Sequence, residues 1–280
     1  MQNKPLVSIL IASFNKERLV KRCIDSCLNQ TYKNLEIIFV DNDSSDNSYE
    51  IAKNYKKIKV YKRKRNKYSN YEFNSFNQID TYIFACQKSK GKILCFLDSD
   101  DFYKKNKIQE SVDFFLKNKN NILFDKPIIY FNKNNNYKSK EYDYNYKRKY
   151  LWPKFPPQSC ISIRKVFFKK MLNELAKKKF GMLTLDFRLA ILSKNIYNDF
   201  FISNKYLTYY YQDYYGETYS NFKKFNFNWW KRRLEAHHYL KYISFKYKKE
   251  LVQGFDFYFT RLVVLFLNLL CQKFNKNNKF

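Results

Sequence analysis

The chain has 280 residues, 45% of them hydrophobic and 20% aromatic, with four Gly and five Pro, so collagen-like and low-complexity classes are excluded. A total of 54 Lys and Arg against 25 Asp and Glu gives a formal charge of +29. That charge suits nucleic acid, an anionic membrane or phosphorylated substrates as partners, but heavy use of Lys, Asn, Tyr, Phe and Ile also follows from AT-rich coding, and charge alone decides little.

Residues 6–12 are apolar and β-branched, which predicts a first buried strand, ended by the turn Ser13-Phe14-Asn15. Leu19, Val20, Cys23, Ile24, Cys27 and Leu28 recur at helical spacing, and Asn29-Gln30-Thr31-Tyr32 ends that helix. Residues 35–40 predict a second strand, followed by the acidic, hydroxyl-rich turn of residues 41–48 and a helix from about Tyr49. A short strand is expected over 58–61, a basic loop over 62–78 and a helix over 81–88. Ile93 to Leu97 then form a continuous apolar run, as in a strand buried on both faces, that enters Asp98-Ser99-Asp100-Asp101.

Carboxylates at the carboxyl end of such a strand stand where open α/β sheets bind ligands. Asp98 and Asp100, on alternate residues, suit a hard cation, Mg²⁺ or Mn²⁺, holding phosphate oxygens. The same residues suit the cap of a helix starting near Phe102, and taken alone they leave both readings open. A second strand ending in acid, Val40 into Asp41, adds weight to a shared cation–phosphate site. Neither G-x-G-x-x-G nor G-x-x-x-x-G-K-[ST] is present, so the common glycine-rich phosphate cradles are absent.

Three ordered blocks, residues 7–15, 29–46 and 91–101, resemble glycosyltransferase family 2 of the GT-A fold, a likeness covering roughly residues 5–110. The resemblance implies an α/β fold with a GT-A type nucleotide-binding mixed sheet flanked by helices. It implies that Ser13, Phe14 and Asn15 hold the nucleotide base, with Phe14 stacking, and that Asp41 bonds base or ribose. Asp100 would lie closest to the metal, with Asp98 and Ser99 nearer the ribose and diphosphate. Two departures stand out: Asp43 replaces a common glycine, and Ile83-Phe84-Ala85 replaces Asn-x-Gly.

Further on, a helix is expected from Lys107 to Leu116, strands over 122–124 and 127–131, an exposed loop over 132–150, a strand over 159–163, and a helix over 164–175 with Val166 inward. Leu185-Asp186-Phe187-Arg188 resembles the segment that carries the catalytic base of inverting members. Asp186 is therefore the expected base, against an N-cap or an ion pair with Arg188. Asp213 stands where members often place a metal-binding His, and is a weak third ligand.

The expected organisation is a GT-A domain over 1–220, with a nucleotide-binding half 1–110 and an acceptor half 111–220, and a helical, basic and aromatic C-terminal extension over 221–280. Adjacent His237 and His238 point about 100° apart on a helix and make a poor metal pair. The segment 255–270, with Trp229-Trp230-Lys231-Arg232-Arg233 before it, is read as packing on its own domain or lying on an anionic membrane. The six cysteines form no C-x-x-C pair and read as buried thiols in a reducing compartment. With no signal peptide and no apolar run of about 18 residues, the expected location is cytoplasmic, peripheral on the inner face of the membrane.

The expected function is inverting, metal-dependent transfer of a sugar from a nucleotide-diphosphate donor, UDP-linked, to a glycan or lipid-linked acceptor in bacterial surface polysaccharide or lipooligosaccharide synthesis. The alternative is an inactive GT-A-like basic protein that binds nucleic acid or anionic membrane.

Overall fold

In the computed structural model, strand β1 (Val7–Ser13) runs between two parallel neighbours, β2 (Leu35–Asp41) and β4 (Ile93–Asp98). The structure describes residues 4–65, 74–133, 136–141, 154–212, 223–250 and 254–277. β3 (Lys59–Lys62) pairs parallel with β2 and forms one edge of the sheet, which among the described residues has nine strands: eight in the order β3-β2-β1-β4-β8-β6-β9-β5, where β5 is Phe102–Tyr103, and β7 (Asn136–Glu141) paired with β6 off that path. Beyond β4 the sheet becomes mixed: β8 (Ile161–Arg164) is antiparallel to both β4 and β6 (Ile122–Lys133), and β6 is parallel to β9 (Ile202–Gln212).

Alternation along β1 explains the two layers. Val7, Ile9 and Ile11 enter one core with Val20, Cys23, Ile24 and Cys27 of α1 (Glu17–Leu28) and Ile108, Val112 and Phe115 of α4 (Lys107–Lys117). On β4 the opposite face carries Phe96, whose ring meets Tyr82 of α3 (Asn74–Lys88) and Phe168 of α5 (Lys165–Leu175). Each such fully buried Ile, Leu or Phe is worth about 1.5–3 kcal/mol over its exposed state. Gly91, two residues before β4, has no room for a side chain, since a Cβ there would come within 2.5 Å of Ser8 Oγ and 2.6 Å of its backbone nitrogen.

The motifs around this sheet have structural uses of their own. Gln30 donates to the carbonyls of Ser26 and Lys104 and accepts from the Ile108 N–H, tying the end of α1 to the segment after Asp101. In the acidic turn, Asp46 Oδ2 accepts the Glu17 N–H at 3.0 Å, and Glu17 Oε2 accepts the Asn47 N–H at 3.1 Å. A carboxylate from the turn thus satisfies an orphan donor at the start of α1. Asp43 has φ of 67°, the left-handed conformation that a glycine would adopt freely.

Several expectations are corrected. Helix α3 starts at Asn74, inside the expected loop over 62–78, because Phe76, Ile79, Tyr82, Ala85 and Cys86 place one apolar stripe inward. Residues 122–131 form one long strand rather than two. The end of this strand, Asn132 and Lys133, and its hairpin partner β7 (Asn136–Glu141) occupy part of the expected loop over 132–150, whose remaining residues lie outside those described. Phe102 does not start a helix: β5 (Phe102–Tyr103) pairs with β9, so Asp98 and Asp100 do not cap one there. The expected strand over 159–163 begins as a 3₁₀ turn at Gln158–Cys160. Val166 is 68% exposed, and α5 instead buries Phe167, Phe168, Met171 and Leu175.

The chain divides into two compact units after Gln212. In the second, α7 (Phe227–Tyr247) and α8 (Phe255–Asn277) pack on one another. Asn226 caps α7 by accepting the Trp229 N–H at 2.7 Å. Buried His237 bonds Asp256 at 3.0 Å while His238 is exposed, so the two histidines have separate surroundings. The five cysteines whose side chains are described are free and buried.

Candidate active site

The register of the three central strands assembles the site. Ser13 pairs with Asp41 across β1 and β2, and Ala12 pairs with Asp98 across β1 and β4, so the carboxyl ends of all three strands meet at one edge. At the β2 end, buried Asp41 accepts the Ser44 N–H on Oδ2 at 2.9 Å. Its Oδ1 and the neighbouring Ser13 Oγ are buried without a hydrogen-bond partner among the described residues. Such orphans are costly unless a ligand answers them. Phe14 is half-buried with the Arg65 guanidinium 3.8 Å over its ring. Asn15 has φ of 51° and accepts the Ser45 N–H at 2.9 Å, locking the first turn to the second.

At the β4 end, one oxygen each of Asp98, Asp100 and Asp101 lies within 4.8 Å of the others. Asp98 Oδ1 receives three donors: Gln78 Nε2 at 2.7 Å, Tyr82 OH at 2.8 Å and Gln158 Nε2 at 2.6 Å. Ser159 Oγ accepts the Asp98 N–H at 3.0 Å and donates to Asp101 Oδ2 at 2.5 Å, while the Tyr211 N–H donates to Asp101 Oδ1 at 2.8 Å. Lys16 Nζ meets Asp100 Oδ2 at 2.8 Å. Ser99 is buried, its N–H donating to the Ala12 carbonyl at 3.1 Å.

Burial, followed by the negative charge of Asp100, pushes the Asp98 carboxyl up to about 7 despite the hydrogen bonds from Tyr82 and Gln158. Burial, followed by the negative charges of Asp100 and Asp98, raises Asp101 well above its ordinary value. Three clustered carboxylates answered by one ammonium among the described residues are an electrostatically expensive arrangement, and a divalent cation would relieve it. The donor set, all carboxylate oxygen, fits Mg²⁺ or Mn²⁺.

Asp186 lies in the first turn of α6 (Leu185–Ile191) and accepts the Phe187 N–H at 2.8 Å. Thr184, not Asp186, is the N-cap residue. Asp186 is close enough that its charge is among those raising Asp98. Arg188 is buried and donates to the carbonyls of Leu175 at 2.7 Å and Lys177 at 3.0 Å. Asp213, the expected third ligand, lies outside the described residues; Asp101, which was not among the sequence candidates, is part of the acid cluster. No motif marks Gln78, Tyr82, Gln158 or Ser159 in the sequence, whereas Lys16, which also bonds the cluster, adjoins the turn after β1.

A parallel-then-mixed sheet with helices on both faces is the GT-A architecture, and solved structures are similar to this chain in that fold. S. aureus TarS 1–349 in complex with UDP-GlcNAc aligns with a TM-score of 0.57 at 16% identity, covering 84% of this chain and 66% of that one. The mannosyltransferase PcManGT from Pyrobaculum calidifontis, in complex with GDP-Man and Mn²⁺, aligns at 0.51 and 11%, covering 88% and 65%. Residues 8–176, more than half of the chain, match Glycosyl transferase family 2, and the chain belongs to that family.

Among curated relatives, an uncharacterized glycosyltransferase of Haemophilus influenzae is 34% identical over 122 residues, 41% of this chain and 44% of the relative. UDP-Glc:alpha-D-GlcNAc-diphosphoundecaprenol beta-1,3-glucosyltransferase WfaP of Escherichia coli is 35% identical over 109 residues, 39% and 41% of the two chains. The putative teichuronic acid biosynthesis glycosyltransferase TuaG of Bacillus subtilis is 32% identical over 114 residues, 41% and 43%. The matched stretch thus spans less than half the length of these relatives.

Proposed function

We propose that the chain transfers a sugar from a nucleotide-diphosphate donor, UDP-linked, to a hydroxyl of a glycan or lipid-linked acceptor, with inversion at the anomeric carbon. The observation that carries this reading is the pairing of orphaned Asp41 Oδ1 and Ser13 Oγ with the acid cluster at one sheet edge. The first offers unanswered polar atoms to a base or ribose, and the second suits a cation that accompanies a diphosphate. Asp100 and Asp98 would hold Mg²⁺ or Mn²⁺, with Asp101 behind them. When bound, the cation neutralises the charge that develops on the departing diphosphate.

This chain's own residues do the rest. Gln78, Tyr82 and Gln158 fix one oxygen of Asp98. Phe14 would stack on the base. The Asp186 carboxylate would take the acceptor hydroxyl proton as that oxygen bonds to the anomeric carbon. The bond from that carbon to the diphosphate breaks on the opposite face, and the nucleoside diphosphate leaves.

A lipid-linked acceptor is supported by the name of WfaP, and a bacterial surface-polysaccharide setting by that of TuaG. A peripheral position on the inner face of the cytoplasmic membrane follows from such an acceptor. The test is a panel of nucleotide sugars with Mn²⁺, read as nucleoside diphosphate release with and without polyprenyl-diphosphate sugars. Release from one donor that rises with acceptor supports the reading, and no release from any donor contradicts it.

A further inference from the structure

We infer that the outward face of α8 is a docking surface for an anionic lipid bilayer. The inference rests on the proposed function only for its purpose, delivery of a lipid-linked acceptor, since its evidence lies wholly within the second unit. Phe255, Tyr258, Phe259, Leu262, Leu265, Phe266, Leu269 and Leu270 recur at spacings of three and four, so they share one side of the helix. All are exposed, Phe255 by 81%, Leu262 by 65% and Leu269 by 62%.

The opposite side is already used. Phe257, Thr260 and Val264 are buried, the His237 ring meets Phe257 at 5.5 Å, and Arg233 bonds Asp256 at 2.6 Å, so α7 covers that side. The exposed stripe is therefore a second apolar face on a helix whose first face has a partner. Through Phe259, whose ring lies 5.8 Å from Trp230, the stripe continues to Trp229 and to Phe225, 61% exposed. Ammonium groups lie close by: Lys224 is 4.9 Å from the Phe225 ring, and Lys231 is 4.8 Å from the ring of Phe227 in the first turn of α7.

Charge selects the occupant. Glu235, Glu250 and Asp256 are the only acids in residues 223–277, against twelve Lys and Arg. Arg261 lies exposed beside the stripe, and Lys273 and Lys276 follow it in sequence. A second copy would set like charges against one another along such a seam, whereas anionic headgroups complement them. No helix among the described residues is long and apolar enough to cross a membrane. An apolar, aromatic face with a basic surround is the chemistry of a helix lying in the plane of the interface.

The full chain should co-sediment with vesicles of phosphatidylglycerol and phosphatidylcholine, bind less as salt is raised, and bind little to phosphatidylcholine alone. The double variant Leu262→Asp/Phe266→Asp changes two exposed side chains. It should bind the anionic vesicles at least about tenfold more weakly while keeping the wild-type circular dichroism spectrum. No binding by the wild type at low salt overturns the inference, as does equal binding by the double variant. So does concentration-dependent dimerisation that the double variant abolishes without any vesicle binding, which would assign the face to a second copy. UDP affinity is measured separately: its absence in the wild type counts against the transferase reading, while vesicle binding still upholds this surface.

Discussion

Lys16 Nζ lies 2.8 Å from Asp100 Oδ2, placing an ammonium against the acid expected to lie closest to a bound cation. Lys16 follows the turn after β1 and Asp100 the end of β4, so two neighbouring strands hold the pair together. A monovalent cation on that carboxylate competes with a divalent one. Lys16→Met should therefore tighten Mn²⁺ binding by roughly two- to fivefold, the scale of a part-exposed ion pair. Calorimetric titration of Mn²⁺ without nucleotide checks this, and weaker binding would show that Lys16 supports the site.

Asp186 is the one acid at the start of α6, and its charge is felt at Asp98. Asp186→Asn keeps the shape and removes the proton acceptor. It should lower kcat by about 10²- to 10⁴-fold and leave the UDP dissociation constant unchanged. Retained turnover would assign the base elsewhere.

Behind the acid cluster, Lys107 and Asp125 form an ion pair with both side chains fully buried, and Asp125 also accepts from Thr208 Oγ1 at 2.8 Å. Breaking such a pair from one side leaves an unpaired buried charge. Lys107→Met should cost about 3–5 kcal/mol in denaturant unfolding, and Lys107→Met/Asp125→Leu should recover most of it. A single variant as stable as the wild type would show that the pair carries no such penalty.

Burial tends to raise the Glu36 carboxyl, but the hydrogen bonds from Lys59, the Lys90 N–H and Ser8 outweigh it and hold it at about 2. The folded protein therefore binds this proton less tightly than the unfolded chain, whose value is near 4.5. The stabilisation is present above that value and is lost as pH falls through the folded value. Glu36→Gln should lower Tm at pH 7 by about 2–4 °C, with the difference narrowing toward pH ~2–3. A difference independent of pH would contradict the linkage.

Much of the fold was legible because its signals are local. The apolar runs ending at Ser13, Asp41 and Asp98 mark three strands, and the turns after them carry the acids that the parallel register gathers. The start of α3 was hidden because Asn74, Ser75, Asn77, Gln78 and Asp80 are polar, although Phe76 and Ile79 face inward. β7 was hidden in a run of Asn, Lys and Tyr, whose pairing depends on β6 rather than on apolar alternation. The donors on Asp98 come from Gln78, Tyr82 and Gln158, up to 60 positions away, and convergence at that separation leaves no local pattern. Lys107 gave no sign of burial because its partner Asp125 lies inside a strand 18 residues on.

The most direct test of the central claim, a metal-assisted nucleotide-diphosphate site at the ends of β1, β2 and β4, is calorimetric titration of UDP with and without Mn²⁺. Wild type and Asp100→Asn would be measured side by side. Mn²⁺ should tighten UDP binding by at least about tenfold in the wild type and by little in the variant. Equal UDP affinity with and without the metal in the wild type would contradict the account.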